Sequence, residues 1–184
     1  MPPTTLPRRV RVVGISGAGK TTTAREAAAR LGVPHLELDD VFWLPGWQLR
    51  EIDDGLRELR ERVEQAPGGW VACGNWTTRV GSLLDDVDLV VWLDHPRWLV
   101  MAQVVRRTLV RAVTRQEVCH GNRELWSGMV ARDPEHNIVL WSWTRYGSTQ
   151  ERYRALAAEG TVPVLRLRGR RAVRAWLDGL GGAV

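Results

Sequence analysis

Residues 14–21, Gly-Ile-Ser-Gly-Ala-Gly-Lys-Thr, set glycines, one ammonium and one hydroxyl at the spacing G-x-x-x-x-G-K-[ST]. Glycines let successive backbone N–H groups curl round an anion, and a helix that starts there adds partial positive charge. In such a loop Lys20 spans the terminal phosphates of a nucleoside triphosphate and the Thr21 hydroxyl ligates Mg²⁺. Gly14, Ser16, Gly17, Ala18, Gly19 and Thr22 complete the expected cradle for ATP. Lys20 is also the only lysine, since the other 25 of the 26 basic residues are Arg. Arg is a broad planar fork, so a compact point charge survives where an ammonium must slip between two phosphates.

The lysine count bears on the class of protein. GTP switches read guanine with an Asn-Lys-x-Asp element, and no lysine follows residue 20 to build one. Motor-type ATPases pair the loop with an apolar strand ending in Asp-Glu. Here "VVWLD" ends at Asp94 and continues His95-Pro96, where Asp94 serves equally as the cap of a helix starting near Arg97.

In open parallel sheets ligands gather at the carboxyl ends of strands. After the second predicted strand stand Asp39 and Asp40, suited either to taking a proton from an acceptor hydroxyl and holding Mg²⁺ through water, or to solvating a turn. After the third, "CGNWTTR" (73–79) offers Gly74 for close approach and Asn75 and Arg79 as donors. Trp43, Trp47 and Trp76 fall in the same loops, where they can wall a flat or apolar acceptor. Trp92, Trp98 and Trp176 are expected in the core. Arg107, Arg111 and Arg115 recur at i, i+4 and i+8, either as a solvated stripe or as a face that closes over a transferring phosphoryl group. Arg123 lies in the segment they lead to. Cys119 and His120 lack the partners of a zinc site.

The elements that must position these groups are legible from periodicity. β-rich runs at 8–13, 34–38, 69–73, 88–93 and 162–167 alternate with helical patterns, which implies a parallel sheet covered by helices, an α/β fold. Ile52, Leu56, Leu59 and Val63, and then Trp98, Ala102, Val105, Leu109 and Ala112, read as core-facing stripes. A closing helix is expected over 170–180. Residues 115–133 hold neither period and two glycines, and read as a lid-like segment; residues 1–7 read as a flexible lead-in.

At 184 residues one domain is expected, spanning 1–184. Apolar runs are too short for a bilayer and the opening residues lack a secretory core, so a cytoplasmic location without membrane association is expected. Two cysteines make no disulfide framework. Net charge is +5 and uneven: residues 1–100 carry 12 basic and 14 acidic groups, residues 101–184 carry 14 and 7. A basic second half suits a polyphosphate, nucleic acid or a solvated helix face.

Taken in order, the loop, "HLELDDVFWLPGW" (35–47), "GNW" (74–76), "VVWLDHPRW" (90–98), "VVRRTL" (104–109), "HGNRE" (120–124) and "LRLRGRRAV" (165–173) run over nearly the whole chain. They resemble the adenylate-kinase-related P-loop proteins often named DNA topology modulation (FlaR-like) proteins. The resemblance implies a three-layer, nucleotide/shikimate kinase-like P-loop fold with a five-stranded parallel sheet, and ATP-dependent phosphoryl transfer. It also implies Asp39 as the functional acid and Arg170 at the nucleotide. Where the family commonly has Asp before Gly-Asn, this chain has Cys73, so that either Asp39 takes over the metal role or Mg²⁺ binding is weaker. The expected activity is a kinase passing the γ-phosphoryl group of ATP to a small, nucleotide-like acceptor, with Lys20, Asp39, Arg107, Arg111 and Arg123 in the chemistry. The alternative is a nucleotide-binding regulatory ATPase that touches DNA through its Arg-rich half.

Overall fold

A computed structural model describes residues 6–123, 133 and 137–181. Its elements are β1 (Arg9–Val13), α1 (Lys20–Leu31), β2 (His35–Glu37), α2 (Leu38–Phe42), β3 (Trp43–Leu44), β4 (Gln48–Leu49), α3 (Ile52–Glu64), β5 (Trp70–Cys73) and α4 (Thr77–Val80). They continue with β6 (Leu89–Leu93), α5 (Arg97–Thr114), α6 (Ile138–Glu159), β7 (Val164–Leu167) and α7 (Gly169–Leu180). All five predicted strand runs are strands, and they form one sheet in the order β2–β5–β1–β6–β7 with every pairing parallel.

Alternation along the strands divides the core between two faces. Val10 and Val12 of β1, Val71 of β5, and Val91 and Leu93 of β6 pack with Ala24, Ala27 and Ala28 of α1 and Leu177 and Leu180 of α7. On the other face Trp70 and Ala72 meet Leu59 of α3, and Val13, Val90 and Trp92 meet Tyr153 of α6. Small alanines on α1 bring that helix close to the sheet, which fixes the direction in which its N-terminus points.

Several expectations are corrected. Trp98 is 72 % exposed rather than core, and Ala102, Val105 and Leu109 are exposed with it. The buried residues of α5 are Val100, Val104, Thr108 and Ala112. The helix is apolar round most of its circumference, so periodicity alone fits two faces, and only packing against the loop selects one. Ile52 is likewise exposed, as the first residue of α3. Asp94 does not cap α5, whose N-cap is Pro96. Its buried carboxylate accepts from Arg166 Nε at 2.6 Å, with Arg168 Nε 3.5 Å away, because β7 lies alongside β6 and supplies Arg166, with Arg168 just beyond its end. Asp39 and Asp40 stand on the short helix α2 instead of a loop. The β3–β4 hairpin that follows was not expected from the sequence.

Candidate functional site

The loop between β1 and α1 takes backbone angles that suit glycine. Gly17 has φ +84°, and a Cβ there would lie 2.1 Å from Val104 Cγ2, so α5 presses directly on the loop. Gly19 is the left-handed N-cap of α1, and no side chain caps the helix. The first-turn amides are therefore left for an anion.

Lys20 Nζ folds back to donate to Ile15 O at 3.1 Å. Burial pushes its ammonium down to about 8, Asp39 and Glu37 opposing and Arg107 assisting. Arg107 thus lies within electrostatic reach of the loop lysine.

Two carboxylates face this loop from the end of β2. Glu37, the last residue of the strand, accepts from Thr21 Oγ1 at 2.8 Å, and Arg25 Nη2 is 3.7 Å from its other oxygen. Burial raises the Glu37 carboxyl above its usual range against the pull of that hydrogen bond. Asp39, two residues on, accepts from Trp76 Nε1 at 2.7 Å. Cys73 lies between, its Sγ 3.9 Å from Thr21 Oγ1 and 3.3 Å from His35 Nε2, with the thiol pushed up to about 12, first by burial and then by the charge of Glu37. The residues fit Mg-ATP: a glycine cradle and an ammonium for the phosphates, and hard oxygens of Thr21 and Glu37 side by side for the metal. Sequence reasoning missed Glu37 because it searched after the strand, while this acid ends it. The signal was the Glu-x-Asp spacing of 37 and 39.

The acceptor side is built from rings. Phe42 stacks on Trp76 with centroids 5.0 Å apart, and Trp43 meets both Trp76 and Trp47 edge-on at 5.5 Å. Arg79 lies over Trp76 at 5.7 Å. The stretch after α5 docks on this hairpin: His120 Nε2 donates to Asp40 O at 2.7 Å and Asn122 Nδ2 to Leu44 O at 2.9 Å. Trp47 N donates to Asn122 Oδ1 at 3.0 Å and its ring nitrogen to Arg123 O at 3.2 Å. His120 and Asn122 are the second omission of the sequence reading, since nothing local marks a brace between positions so far apart.

The other predicted residues differ in their surroundings. Gly74 is required by packing, because a Cβ there would sit 2.7 Å from Leu38 Cβ, so it does not open a ligand approach on that side. Asn75 and Arg170 are exposed, Thr22 also, and Ser16 is half-buried. Arg111 is half-buried on α5. Arg115 leaves the basic face, because the helix ends at Thr114 and Arg115 turns left-handed at φ +50°. The Arg123 guanidinium pairs with Glu117 at 2.8 Å. Of the expected lid at 115–133, residues 124–132 lie outside the described residues.

By sequence the chain matches no protein-family model and no curated protein. By structure it is similar to shikimate kinase from Acinetobacter baumannii in complex with shikimate, with a TM-score of 0.56 at 20 % identity over 96 % of this chain and 91 % of that one. The fold is that of a shikimate-kinase-like P-loop protein. This α/β architecture brings the glycine loop, Glu37 and Asp39 at and just after the end of β2, and Arg107 of α5 to one end of the sheet. Among the described residues no helix is long and apolar enough to cross a membrane.

Proposed function

We propose that the chain is an ATP- and Mg²⁺-dependent kinase that passes the γ-phosphoryl group to a hydroxyl of a small, nucleotide-like acceptor. The observation that carries this is the pair of carboxylates at and just after the end of β2: Glu37 accepts from Thr21, and Asp39, held by Trp76, bears electrostatically on Lys20. A nucleotide-binding protein needs the loop alone, whereas transfer also needs a base beyond the γ-phosphate. The residues divide the work accordingly. Lys20 leaves the Ile15 carbonyl for the phosphates, and Arg107, already within electrostatic reach of Lys20, adds positive charge where negative charge spreads in the transition state. Thr21 and Glu37 would hold Mg²⁺, which neutralises charge on the phosphates when bound. Asp39 takes the proton of the acceptor hydroxyl as its oxygen bonds to the γ-phosphorus and the bond to the β–γ bridging oxygen breaks, releasing ADP.

The acceptor rests against the Trp43–Trp47–Trp76 wall, with Asp40, Asn75 and Arg79 beside it and Arg111 and Arg123 nearer the closing side. Arg170 is the proposed contact for the nucleotide. The FlaR-like resemblance in "HLELDDVFW" and "HGNRE" supports the same reading. The DNA-touching alternative has less support, because of Arg106, Arg107 and Arg111 only Arg106 is exposed, and Arg107 lies within electrostatic reach of Lys20.

Transfer from [γ-³²P]ATP to nucleosides, nucleoside monophosphates, sugars and amino sugars tests the proposal, with Asp39→Asn and Asp40→Asn in parallel. Asp39→Asn is expected to keep nucleotide binding and lose about 10²–10⁴-fold in turnover, with a smaller effect from Asp40→Asn. Transfer unchanged in Asp39→Asn would remove the base from this position.

A further inference from the structure

Trp98, Val105, Leu109 and Val113 follow one another along the outer side of α5, exposed by 72 %, 36 %, 40 % and 70 %. Ala102 between them is exposed too. At about 100° a residue, these five and Met101 span about 120° of the helix circumference without a charged or polar residue. A stripe of that width ordinarily faces a core, yet the core of this protein takes the adjoining face of α5, through Val100, Val104 and Thr108, with Ala112 at the border between the two. A groove lined by Met101, Val105, Val139, Leu140 and Trp143, with Asn137 as its polar member, continues this surface towards α6. Trp143 is half exposed, with the Arg97 guanidinium 3.7 Å from its ring centroid on one side.

We propose that this face joins two copies of the chain, with α5 packing antiparallel on the partner's α5 about a two-fold axis between residues 105 and 106. The spacing of the stripe is self-complementary under that operation. Trp98 then lies opposite the partner's Val113, and Ala102 opposite the partner's Leu109, so each large side chain meets a smaller one. The area is of the right size. A standard interface takes ~800 Å² from each copy. Trp98 and Trp143, 72 % and 50 % exposed, supply the largest shares still open to burial, with Val105, Leu109 and Val113 beside them. The stripe itself carries no charge; Arg106 and Arg97 lie at its margins. DNA finds no phosphate contacts on this stripe.

Sedimentation of the full chain over a wide concentration range tests the proposal. The expected species at high concentration has twice the 20.8 kDa mass of one chain. Ala102→Arg and Val113→Asp alter exposed positions, and each is expected to weaken association at least tenfold with unchanged circular dichroism. Under oxidation Val105→Cys is expected to give a covalent dimer and Val113→Cys is not, because only position 105 lies beside the axis. Four results would overturn the proposal. They are a monomer at every concentration, a dimer indifferent to Ala102→Arg, crosslinking through position 113 instead of 105, and a monomer that binds anionic phosphatidylglycerol vesicles through Trp98.

Discussion

The Thr21 hydroxyl donates to Glu37 Oε1 at 2.8 Å, joining the first turn of α1 to the end of β2. The strand that would carry a metal-side acid next to the loop ends instead in Cys73, a thiol held protonated by burial. Glu37 reaches the same threonine from one strand further away, because β2 pairs with β5 with Glu37 opposite Cys73.

Glu37→Gln keeps the hydrogen bond to Thr21 but removes the charge. The variant is expected to bind ATP without metal as the native chain does, and to need about 10–100-fold more Mg²⁺ for the metal-dependent part of binding. A magnesium titration followed by a fluorescent ATP analogue reads this, and an unshifted midpoint would place the metal elsewhere.

Lys20 gives up its proton near pH 8 in the folded chain, against 10.5 ordinarily. Phosphate oxygens raise that value again, so ATP binding above pH 8 takes up a proton and affinity falls as pH rises through about 8. Calorimetry in buffers of different ionisation enthalpy should show binding heats that differ between buffers at pH 8.5. For folding the sign is opposite to that of a stabilising ion pair. The unfolded chain binds more protons between about 8 and 10.5, so this group's contribution to stability increases with pH across that window. The melting difference between native protein and Lys20→Met isolates it.

Trp76 fixes Asp39 through its ring nitrogen while its face stacks on Phe42. Trp76→Phe keeps most of the stacking and deletes the donor. Transfer is expected to slow by up to about 10²-fold through misplacement of the carboxylate, with ATP affinity unchanged. Equal loss in ATP affinity would show that the change loosened the fold instead.

Gly17→Ala puts a methyl 2.1 Å from Val104 Cγ2 at φ +84°. Backbone strain alone costs about 1–3 kcal/mol. The double variant with Val104→Ala should recover the steric part and not the backbone part. Chemical denaturation measures both, and full recovery would mean that φ at this position is not strained.

Local order in the chain determined a great deal. The G-x-x-x-x-G-K-T spacing, the five β-rich runs and the 3.6-residue periods each concern neighbours within a turn or a strand, where backbone sterics and alternation act directly. From these come the loop, the strand list and the parallel α/β class. The helix that presses on the loop was also legible, but not which of its sides does so. α5 carries apolar residues on two faces, and the choice between Val104 and Val105 depends on what lies across the gap.

Partnerships between distant positions were decided by the tertiary structure alone. Thr21 and Glu37 are separated by 16 residues, Asp39 and Trp76 by 37, and Trp47 and Asn122 by 75. Strand order is what brings β2 beside β5, and with it Glu37 to the threonine and Trp76 to the aspartate. Asp94 makes the same point in reverse: read locally it is a helix cap, but the neighbouring strand offers Arg166, and a buried carboxylate takes the guanidinium. Spacing along a chain states which chemistries are available, and packing, by excluding water from some pairs and not others, selects those that meet.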